Sequence, residues 1–394
     1  NGIQEALART FELTQAEIEL AANLYKGLTI QEIAEHTKKS KATLRTQLSS
    51  VLQKTGTKSQ SSLLRVIVSL VHMLSQHHAR GHNAHTAASL RLISNRDQRS
   101  SIFELSNGLA IEYIESGDLA GEPFYFIQPT TRPQLTGSIV KALRENGIRL
   151  ISPVRPGNGH TTRPPPSYSP ADWARLHLEL VDSLGIEQFA CGGHCSGGIY
   201  AAELARLAGM RCKGLLLADT GAPLANMAMI REMPAAPRRL FLAARYFPRA
   251  AITPMKFVAA DFHSGTDGEN RAVEYFYDGS PADQAIMYEP GNWRITRDNI
   301  GYCFANIPQL AHDVACWAAD NTELFGKVAH HSHIRFFHGG ENLMMKPSHI
   351  RQFCRMNNNA SARIVAGRAQ LLIYVEPVLF SEEIARLALP SGHP

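Results

Sequence analysis

One glycine-rich segment constrains the fold of this 394-residue chain more than any other. The decapeptide Cys191–Tyr200, CGGHCSGGIY, follows a short apolar run and leads into apolar residues at helical spacing. A strand, a tight turn flanked by small residues and a helix form a nucleophile elbow, which presents one strained residue at the edge of a sheet. Gly193 and Gly197 are the glycines of the G-x-S-x-G pattern, so the nucleophile position falls on Cys195. A thiol at that position needs a neighbouring group to activate it.

The composition indicates a soluble globular protein with room for two domains. Hydrophobic residues make up 44% of the chain and charged residues 19%, which allows a substantial core. The formal net charge of +5 is mildly basic, so the placement of the basic residues matters more than their sum. Six cysteines are too few for a disulfide framework at this length and favour reduced thiols. The sequence has no apolar run near the roughly 18 residues of a membrane span, and we expect a cytoplasmic protein without a membrane partner.

Residues 1–75 are predicted to form a small all-α domain. Thr14 and Glu17 have the spacing of a capping box, and Ser40 is a second candidate cap. Apolar spacing predicts four helices, over residues 13–26, 30–37, 41–55 and 60–74. Two short helices joined by a tight connection form a helix-turn-helix, whose later helix enters the major groove of DNA.

Basic residues of this domain cluster without acidic neighbours. The stretch from Lys38 to Lys58 contains six basic residues and no Asp or Glu. A solvated helix face usually mixes signs, so this stretch favours contact with phosphates. Side chains in the first turns of the third helix are placed to reach base edges. The residues predicted to contact DNA are Lys39, Lys41, Ala42, Thr43, Arg45, Thr46, Lys54 and Lys58.

The glycines, caps and core positions of this domain agree in register with a known family. The matching residues are Leu13, Thr14, Glu17, Gly27, Leu28, Thr29, Glu32, Ile33, Ala34, Ser40, Thr43, Leu44, Arg45, Leu48, Lys54 and Gly56. Over about sixty residues the segment resembles the LuxR-type DNA-binding domain. The resemblance implies a transcriptional regulator that binds double-stranded DNA as a homodimer, with the fourth helix supplying the dimer contact. An ordinary four-helix bundle with a basic face is the alternative interpretation.

Residues 76–100 are predicted to be a flexible linker, because the segment is largely polar. Four histidines lie in it, at His77, His78, His82 and His85, without a neighbouring cysteine or carboxylate. Zinc sites usually combine histidine with such ligands. We therefore expect a solvated linker and no metal site.

From residue 101 to residue 394 the pattern changes to alternating strands and helices, which is typical of a mostly parallel, doubly wound sheet. Asn107-Gly108 indicates a hairpin. Strands are predicted over residues 124–127, 149–152, 189–191, 214–218 and 334–338. Helices are predicted over residues 135–145 and 172–184.

Four landmarks of this region occur in a known order. They are Arg155–His160, the elbow at Gly193–Gly197, Gly339–Asn342 and the pair Glu376-Pro377. In this order they resemble the α/β-hydrolase fold. The resemblance implies a helical cap over a pocket at residues 222–320, an insertion that is rich in methionine and aromatic residues.

The same resemblance assigns a catalytic triad to three positions, and each carries a substitution. Cys195 replaces serine, the acid position falls on Asn342, and the histidine position, seven residues before Pro377, falls on Gln370. Glutamine has no titratable nitrogen and cannot act as a general base near neutral pH. We therefore expect a pseudoenzyme, with no catalytic residue, no cofactor and no metal.

The predicted function is a transcriptional regulator whose hydrolase-like domain senses a small, largely apolar effector. The predicted ligand contacts are Gln128, Thr130, Cys195, Ser196, Asn342 and Gln370. Two alternatives remain open. One is an active thiol-dependent esterase or lactonase fused to a DNA-binding domain. The other is a hydrolase-like domain that serves only as a dimerisation scaffold.

Overall fold

The computed structural model describes residues 11, 13–25, 28–55, 57, 59–60, 63, 98–131, 135–163, 165, 168–277 and 279–389. The chain divides into two compact units, residues 1–85 with 253–272 and residues 86–252 with 273–394. Most of the predicted fourth helix and most of the predicted linker lie outside the described residues. No helix within the described ranges is long and apolar enough to cross a membrane.

Three helices form in the N-terminal segment: α1 (Gln15–Tyr25), α2 (Ile30–Thr37) and α3 (Lys41–Thr55). The predicted caps are present. The backbone N–H of Thr14 donates to Glu17 Oε2 at 2.7 Å, and the N–H of Thr43 donates to Ser40 Oγ at 3.0 Å. Lys38 ends α2 in the left-handed conformation, with φ 55°. The buried apolar side chains of this segment are Phe11, Leu13, Ile18, Leu20, Ala21, Leu24, Ile33, Leu44, Val51 and Leu63.

A sheet of eight strands organises the second unit, in the order β1-β2-β4-β3-β5-β6-β7-β8. The strands are β1 (Gln98–Glu104), β2 (Ala110–Gly117), β3 (Glu122–Ile127), β4 (Ile148–Pro153), β5 (Phe189–His194), β6 (Cys212–Ala218), β7 (His333–Gly339) and β8 (Ala360–Val365). β1 with β2 and β2 with β4 pair antiparallel, and the remaining pairs are parallel. The prediction of a mostly parallel sheet is confirmed. β1 begins at Gln98, inside the last residues of the predicted linker, because it pairs with β2 as far as Ser116.

Helices cover the sheet and fill the insertion between β6 and β7. They are α4 (Gly137–Glu145), α5 (Pro170–Ser183), α6 (Gly197–Ala208), α7 (Met227–Arg231), α8 (Ala235–Tyr246), α9 (Pro248–Phe262), α10 (Thr266–Phe276), α11 (Pro281–Met287), α12 (Pro290–Ala305), α13 (Ile307–Ala318), α14 (Thr322–Ala329), α15 (Pro347–Met356), α16 (Leu372–Val375) and α17 (Pro377–Ala388). The helices α7 to α13 fall within the insertion predicted at residues 222–320.

The main core lies between the central strands and α17. Phe126 and Phe380 pack edge to face, with ring centroids 5.3 Å apart, and both are fully buried. Burying one such side chain stabilises the fold by about 1.5–3 kcal/mol. This packing fixes the central parallel strands, and ligands of open α/β sheets bind outside the carboxyl ends of such strands.

Candidate functional site

The predicted elbow forms between β5 and α6. Cys195 has φ 47°, a left-handed conformation that costs energy for any residue other than glycine. Its backbone N–H donates to Ala218 O of β6 at 2.9 Å. A Cβ on Gly193 would lie 2.5 Å from the backbone of Gly197, so glycine is required for α6 to start directly against β5. The geometry holds the Cys195 side chain at the carboxyl edge of the sheet.

The Cys195 thiol is not activated by its surroundings. Burial raises its pKa well above the usual range, and the nearby carboxyl groups of Asp219 and Asp283 raise it further. No hydrogen bond to Cys195 Sγ is found within the described part of the chain. Because the thiolate is the nucleophilic form, the thiol at the elbow is mostly in its less reactive, protonated form at neutral pH.

Asp219 and the neutral imidazole of His338 lie next to each other near this thiol. His338 Nε2 lies 2.6 Å from the carbonyl oxygen of Met345; a carbonyl only accepts, so Nε2 carries the proton. Burial lowers the pKa of His338 to about 4, and its unprotonated Nδ1 lies 3.4 Å from Asp219 Oδ1. Burial raises the pKa of Asp219 well above its usual range, although the N–H of Gly339 opposes the shift. A neutral imidazole therefore faces the Asp219 carboxyl group, and the proton of His338 is committed to Met345.

His194, which precedes Cys195 in the chain, is also not a base for the thiol. Burial lowers its pKa to about 4, and the backbone of Gln370 opposes the shift. Its ring packs edge to face with Tyr374, with centroids 5.9 Å apart. The imidazole therefore faces the segment around α16.

Asn342, at the position that the resemblance assigns to the acid, lies beside Asp219. Its Oδ1 accepts a hydrogen bond from the N–H of Met345 at 2.9 Å, and its proximity lowers the pKa of Asp219 against the effect of burial. Asn342 Nδ2 is buried without a hydrogen-bond partner among the residues that the structure covers. Asn342 thus orders the loop after β7 and contacts no general base.

Gln370, at the position assigned to the histidine, is held by a carboxylate that the sequence reasoning missed. The N–H groups of Gln370 and Leu371 donate to the two oxygens of Asp283, each at 2.9 Å. Ser280 Oγ donates to the same carboxylate at 2.6 Å. Burial raises the pKa of Asp283 while these hydrogen bonds lower it. The spacing of Ser280 and Asp283 at the start of α11 is a capping signal, but nothing in the sequence indicates the contact with Gln370.

Cys195 lies near two tyrosines, Tyr277 and Tyr374. Burial strongly raises the pKa values of all three groups, and each residue keeps some accessible surface. The thiol of Cys303 in α12 contributes to each of these pKa shifts and therefore lies close to all three. The insertion therefore covers the elbow with tyrosine and cysteine side chains, and Tyr374 was not among the predicted ligand contacts.

Two of the predicted ligand contacts are occupied by a protein carboxylate instead. Thr130 Oγ1 donates to Asp313 Oδ2 at 2.7 Å, and Ser196 Oγ donates to the same oxygen at 3.4 Å. Both hydroxyls are buried and already paired with Asp313, and their role as ligand contacts stays a prediction. Gln128 and Asn342 are likewise buried, with 1% and 0% of their surface exposed. Of the six predicted contacts, only Cys195 and Gln370 retain appreciable accessible surface.

Asp313 of α13 is the centre of a buried polar network. Arg155 Nη2 donates to Asp313 Oδ1 at 2.6 Å, Tyr200 OH at 3.0 Å and Gln309 Nε2 at 2.7 Å. The Arg155 guanidinium lies over the Tyr200 ring, 3.8 Å from its centroid. A buried carboxylate is tolerated only when it is paired and hydrogen-bonded in this way. No sequence motif indicated Asp313, which lies inside a helix.

The predicted DNA-contacting residues of α3 are mostly exposed. Lys41, Ala42, Thr43, Arg45 and Thr46 face solvent in their unit and Lys39 is half-buried, while Lys58 lies outside the described residues.

Lys54, another predicted DNA contact, is paired with an acidic side chain of α1. Its Nζ lies 2.7 Å from Glu17 Oε2, and Ser50 Oγ donates to Glu17 Oε1 at 2.6 Å. Burial raises the pKa of Glu17, but the bonds from Lys54, Ser50 and Thr14 lower it to about 2. Lys54 of α3 therefore forms an ion pair with α1, through Glu17, which is distant from it in sequence.

The comparison with known proteins agrees with the fold of the second unit. The alpha/beta hydrolase family matches residues 123–377, more than half of the chain, so the chain belongs to this family. A hydrolase from Pseudomonas aeruginosa PA01 is similar, with 20% identity, a TM-score of 0.53 and coverage of 74% of this chain and 98% of that one.

Two further solved structures are similar. The Cif epoxide hydrolase from Acinetobacter nosocomialis has 12% identity and a TM-score of 0.58, over 77% of this chain and 94% of its own. Esterase RhEst1 from Rhodococcus sp. ECU1013 has 17% identity and a TM-score of 0.53, over 75% of this chain and 100% of its own. No curated protein matches the chain. At these identities the likeness shows the fold alone.

Proposed function

We propose that this protein is a DNA-binding transcriptional regulator whose hydrolase-fold unit binds a small effector without turning it over. The observation that carries the proposal is the state of Cys195. The residue occupies a fully formed elbow, and its thiol is held protonated without a basic partner among the residues that the structure describes. The elbow is thus kept while the group that would activate the thiol is missing from its described surroundings.

The missing base supports binding without turnover. Acyl transfer at an elbow needs a group that removes the proton of the nucleophile and returns it to the leaving group. Gln370 has no such nitrogen, and His194 and His338 have pKa values near 4 with their rings directed to Tyr374 and Met345. The hydrolase-fold unit therefore binds a small molecule and does not convert it.

We place the effector in a cavity between the elbow and the insertion, and the residues near Cys195 support a largely apolar effector with one polar end. Tyr277, Tyr374, Cys303 and Cys195 combine apolar surface with a few hydrogen-bonding groups, which is typical of small-molecule sites. The phenol of Tyr277 and the thiol of Cys195 are the groups available to the polar end. The ligand is therefore expected to contact these tyrosines and Cys195 instead of Thr130 and Ser196.

The N-terminal helices support the DNA-binding part. The spacing of α2 and α3 follows the LuxR-type resemblance, and Arg45 and Thr43 are exposed on the early turns of α3. A DNA-reading helix needs this exposure for its first turns. We propose a cytoplasmic homodimer that binds double-stranded DNA through this face.

The experiment that tests the proposal is a binding measurement on the full chain. Fluorescence anisotropy with fragments of the source genome at moderate salt should detect binding for the wild type and a loss for Arg45→Ala. Native mass spectrometry of the same preparation should show a co-purifying small molecule, which a dimerisation scaffold would not hold. No DNA binding by the folded wild type would overturn the regulator assignment.

The alternative function is a thiol-dependent esterase or lactonase fused to the DNA-binding segment. The formed elbow at Cys195 favours it, because the strained turn is the arrangement that catalysis uses. It requires product release that depends on Cys195. The absence of a base beside the thiol is why we rank it second.

A further inference from the structure

The loop between β4 and α5 connects the insertion to the first two strands of the sheet. Residues 154–163 of this loop, which we call the bridge loop, contact α13 and the residue that joins α12 to α13 on one side and β2 on the other. We propose that the bridge loop carries the state of the effector cavity to β1, the strand that begins within the last residues of the predicted linker. The proposal rests on the proposed function, since it assumes an effector in the cavity that alters DNA binding.

The first step of the connection lies between the cavity and Asn306. Helix α12 contributes Cys303 and Asn299 to the surroundings of Tyr374, and it ends at Ala305. Asn306 joins α12 to α13 and is buried. A ligand that displaces α12 therefore acts first on this junction.

The second step lies between Asn306 and the bridge loop. Asn306 Nδ2 donates to Pro156 O at 2.8 Å, and Arg163 Nη2 donates to Asn306 Oδ1 at 2.9 Å. Gly157 has φ 70°, and a Cβ there would lie 2.7 Å from Arg163 Nε and 3.2 Å from Asn306 Nδ2. The loop therefore passes directly against the junction, with no room for a side chain between them. The ion pair of Arg155 with Asp313 holds the same loop to α13.

The third step lies between the bridge loop and β2. The N–H of His160 donates to Glu112 Oε2 at 2.8 Å, and the N–H of Glu112 donates to Thr161 Oγ1 at 3.0 Å. Glu112 is buried. Gly159 has φ 52°, and a Cβ there would overlap the Glu112 carboxylate.

The last step reaches β1. Ser100 Oγ donates to Glu112 Oε1 at 2.9 Å, so one buried carboxylate receives bonds from the bridge loop and from β1. β1 is the edge strand beyond β2 in the described sheet. Its stability therefore depends on the β2 contact that Glu112 reinforces. Because packed and hydrogen-bonded groups of this kind transmit displacements between discrete arrangements, occupancy of the cavity changes the stability of β1.

The test is hydrogen–deuterium exchange on the full chain before and after an alkyl group is attached to Cys195, which fills the cavity. We call this attachment loading. The probe is S-decyl methanethiosulfonate. The Cys195 sulfur forms a disulfide with the decylthio group, methanesulfinate leaves, and the thiol proton passes to solvent. Cys195→Ala treated in the same way controls for the other cysteines. Loading is expected to change the hydrogen-exchange rate of residues 98–104 by about fivefold, which is the lower end of typical coupling between two sites.

Two asparagine variants of the insertion distinguish transmission through the bridge loop from a general loss of stability. Asn306→Ala removes the bonds to the bridge loop and the capping bond from the N–H of Gln309, whereas Asn292→Ala removes bonds to Ile286 and Glu289. The response of residues 98–104 to loading should persist in Asn292→Ala and be lost in Asn306→Ala. A response of equal size in Asn306→Ala overturns the route.

DNA affinity, measured on the same samples, distinguishes failure of the route from failure of the proposed function. If loading changes DNA affinity in wild type and Asn306→Ala alike, the bridge loop is not the route while the regulator assignment stands. If loading changes neither DNA affinity nor exchange at β1, both proposals are overturned. If DNA affinity responds in the wild type and in Asn292→Ala but not in Asn306→Ala, both are supported.

Discussion

His338 Nδ1 lies 3.4 Å from Asp219 Oδ1, and because the imidazole is neutral the two groups do not form an ion pair. Burial holds the imidazole pKa at about 4 and raises the carboxyl pKa. The carboxyl ends of β6 and β7 thus place an acid and an imidazole next to each other without the charged imidazole that a catalytic dyad uses. The low pKa of the buried imidazole explains how the site keeps polar side chains and still lacks a base for Cys195.

The buried histidine predicts a pH dependence of stability. The folded-state pKa of His338 is about 4 and its ordinary value is 6.5, so below pH 6.5 the unfolded chain binds the proton first. Stability is therefore present above pH 6.5 and is lost as the pH falls toward 4. His338→Gln, whose amide can still donate to Met345 O, should reduce this loss by up to about 3 kcal/mol. Urea unfolding at pH 4.5 and 7 checks this, with exposed His330→Gln as the control; equal pH dependence in all three proteins would contradict it.

Asp219 predicts the reactivity of the Cys195 thiol. After burial, the Asp219 carboxyl is the largest influence that raises the thiol pKa. Asp219→Asn should lower that pKa and speed alkylation by iodoacetamide at pH 8, by up to about tenfold for each pKa unit. Peptide mapping of Cys195 after timed alkylation measures the rate. Asp182→Asn, a surface change, should leave the rate unaltered. Unchanged or slower alkylation in Asp219→Asn would show that the carboxyl does not control the thiol.

The Asp313 network predicts a large stability effect. Asp313→Asn leaves the buried Arg155 guanidinium without its counter-charge, and breaking a buried pair from one side costs about 3–5 kcal/mol. The double variant Asp313→Asn with Arg155→Met should recover part of the loss, because no buried charge remains. Chemical denaturation of the two variants and the wild type gives the comparison. A loss below about 1 kcal/mol in the single variant would mean that Asp313 is not the anchor of α13.

Several parts of this structure were predicted from local sequence. The bounds of α2 and α3, the hairpin at Asn107-Gly108 and the elbow depend on caps, turn glycines and apolar spacing, which neighbouring residues determine. The partners of Asp313 and Asp283 depend on contacts between distant segments; Thr130 and Asp313 are 183 positions apart. β8 was not predicted because its six residues are all half-buried at the sheet edge and carry no strong apolar alternation. The ion pair of Lys54 was not predicted because its partner Glu17 lies in another helix.

The distinction between Lys54 and Arg45 predicts different results for two alanine variants. Arg45→Ala should weaken DNA binding and reduce the salt dependence of the affinity by about one phosphate contact. Lys54→Ala should instead lower the free energy of unfolding by at most about 1 kcal/mol, since the ion pair with Glu17 is partly exposed. Anisotropy titrations at several salt concentrations, combined with thermal unfolding, separate the two effects. A loss of DNA affinity in Lys54→Ala with no change in Arg45→Ala would place Lys54, and not Arg45, on the DNA-contacting surface.

The elbow is expected to bind the effector and not to catalyse hydrolysis. Steady-state release of p-nitrophenol from p-nitrophenyl butyrate tests this expectation most directly. The wild type and Cys195→Ala, both at micromolar concentration and near neutral pH, should release product at the same rate. Intact-protein mass spectrometry of the same samples should show no butyryl adduct at Cys195. Product release above the Cys195→Ala rate, sustained over many turnovers, would contradict the claim and establish a thiol hydrolase.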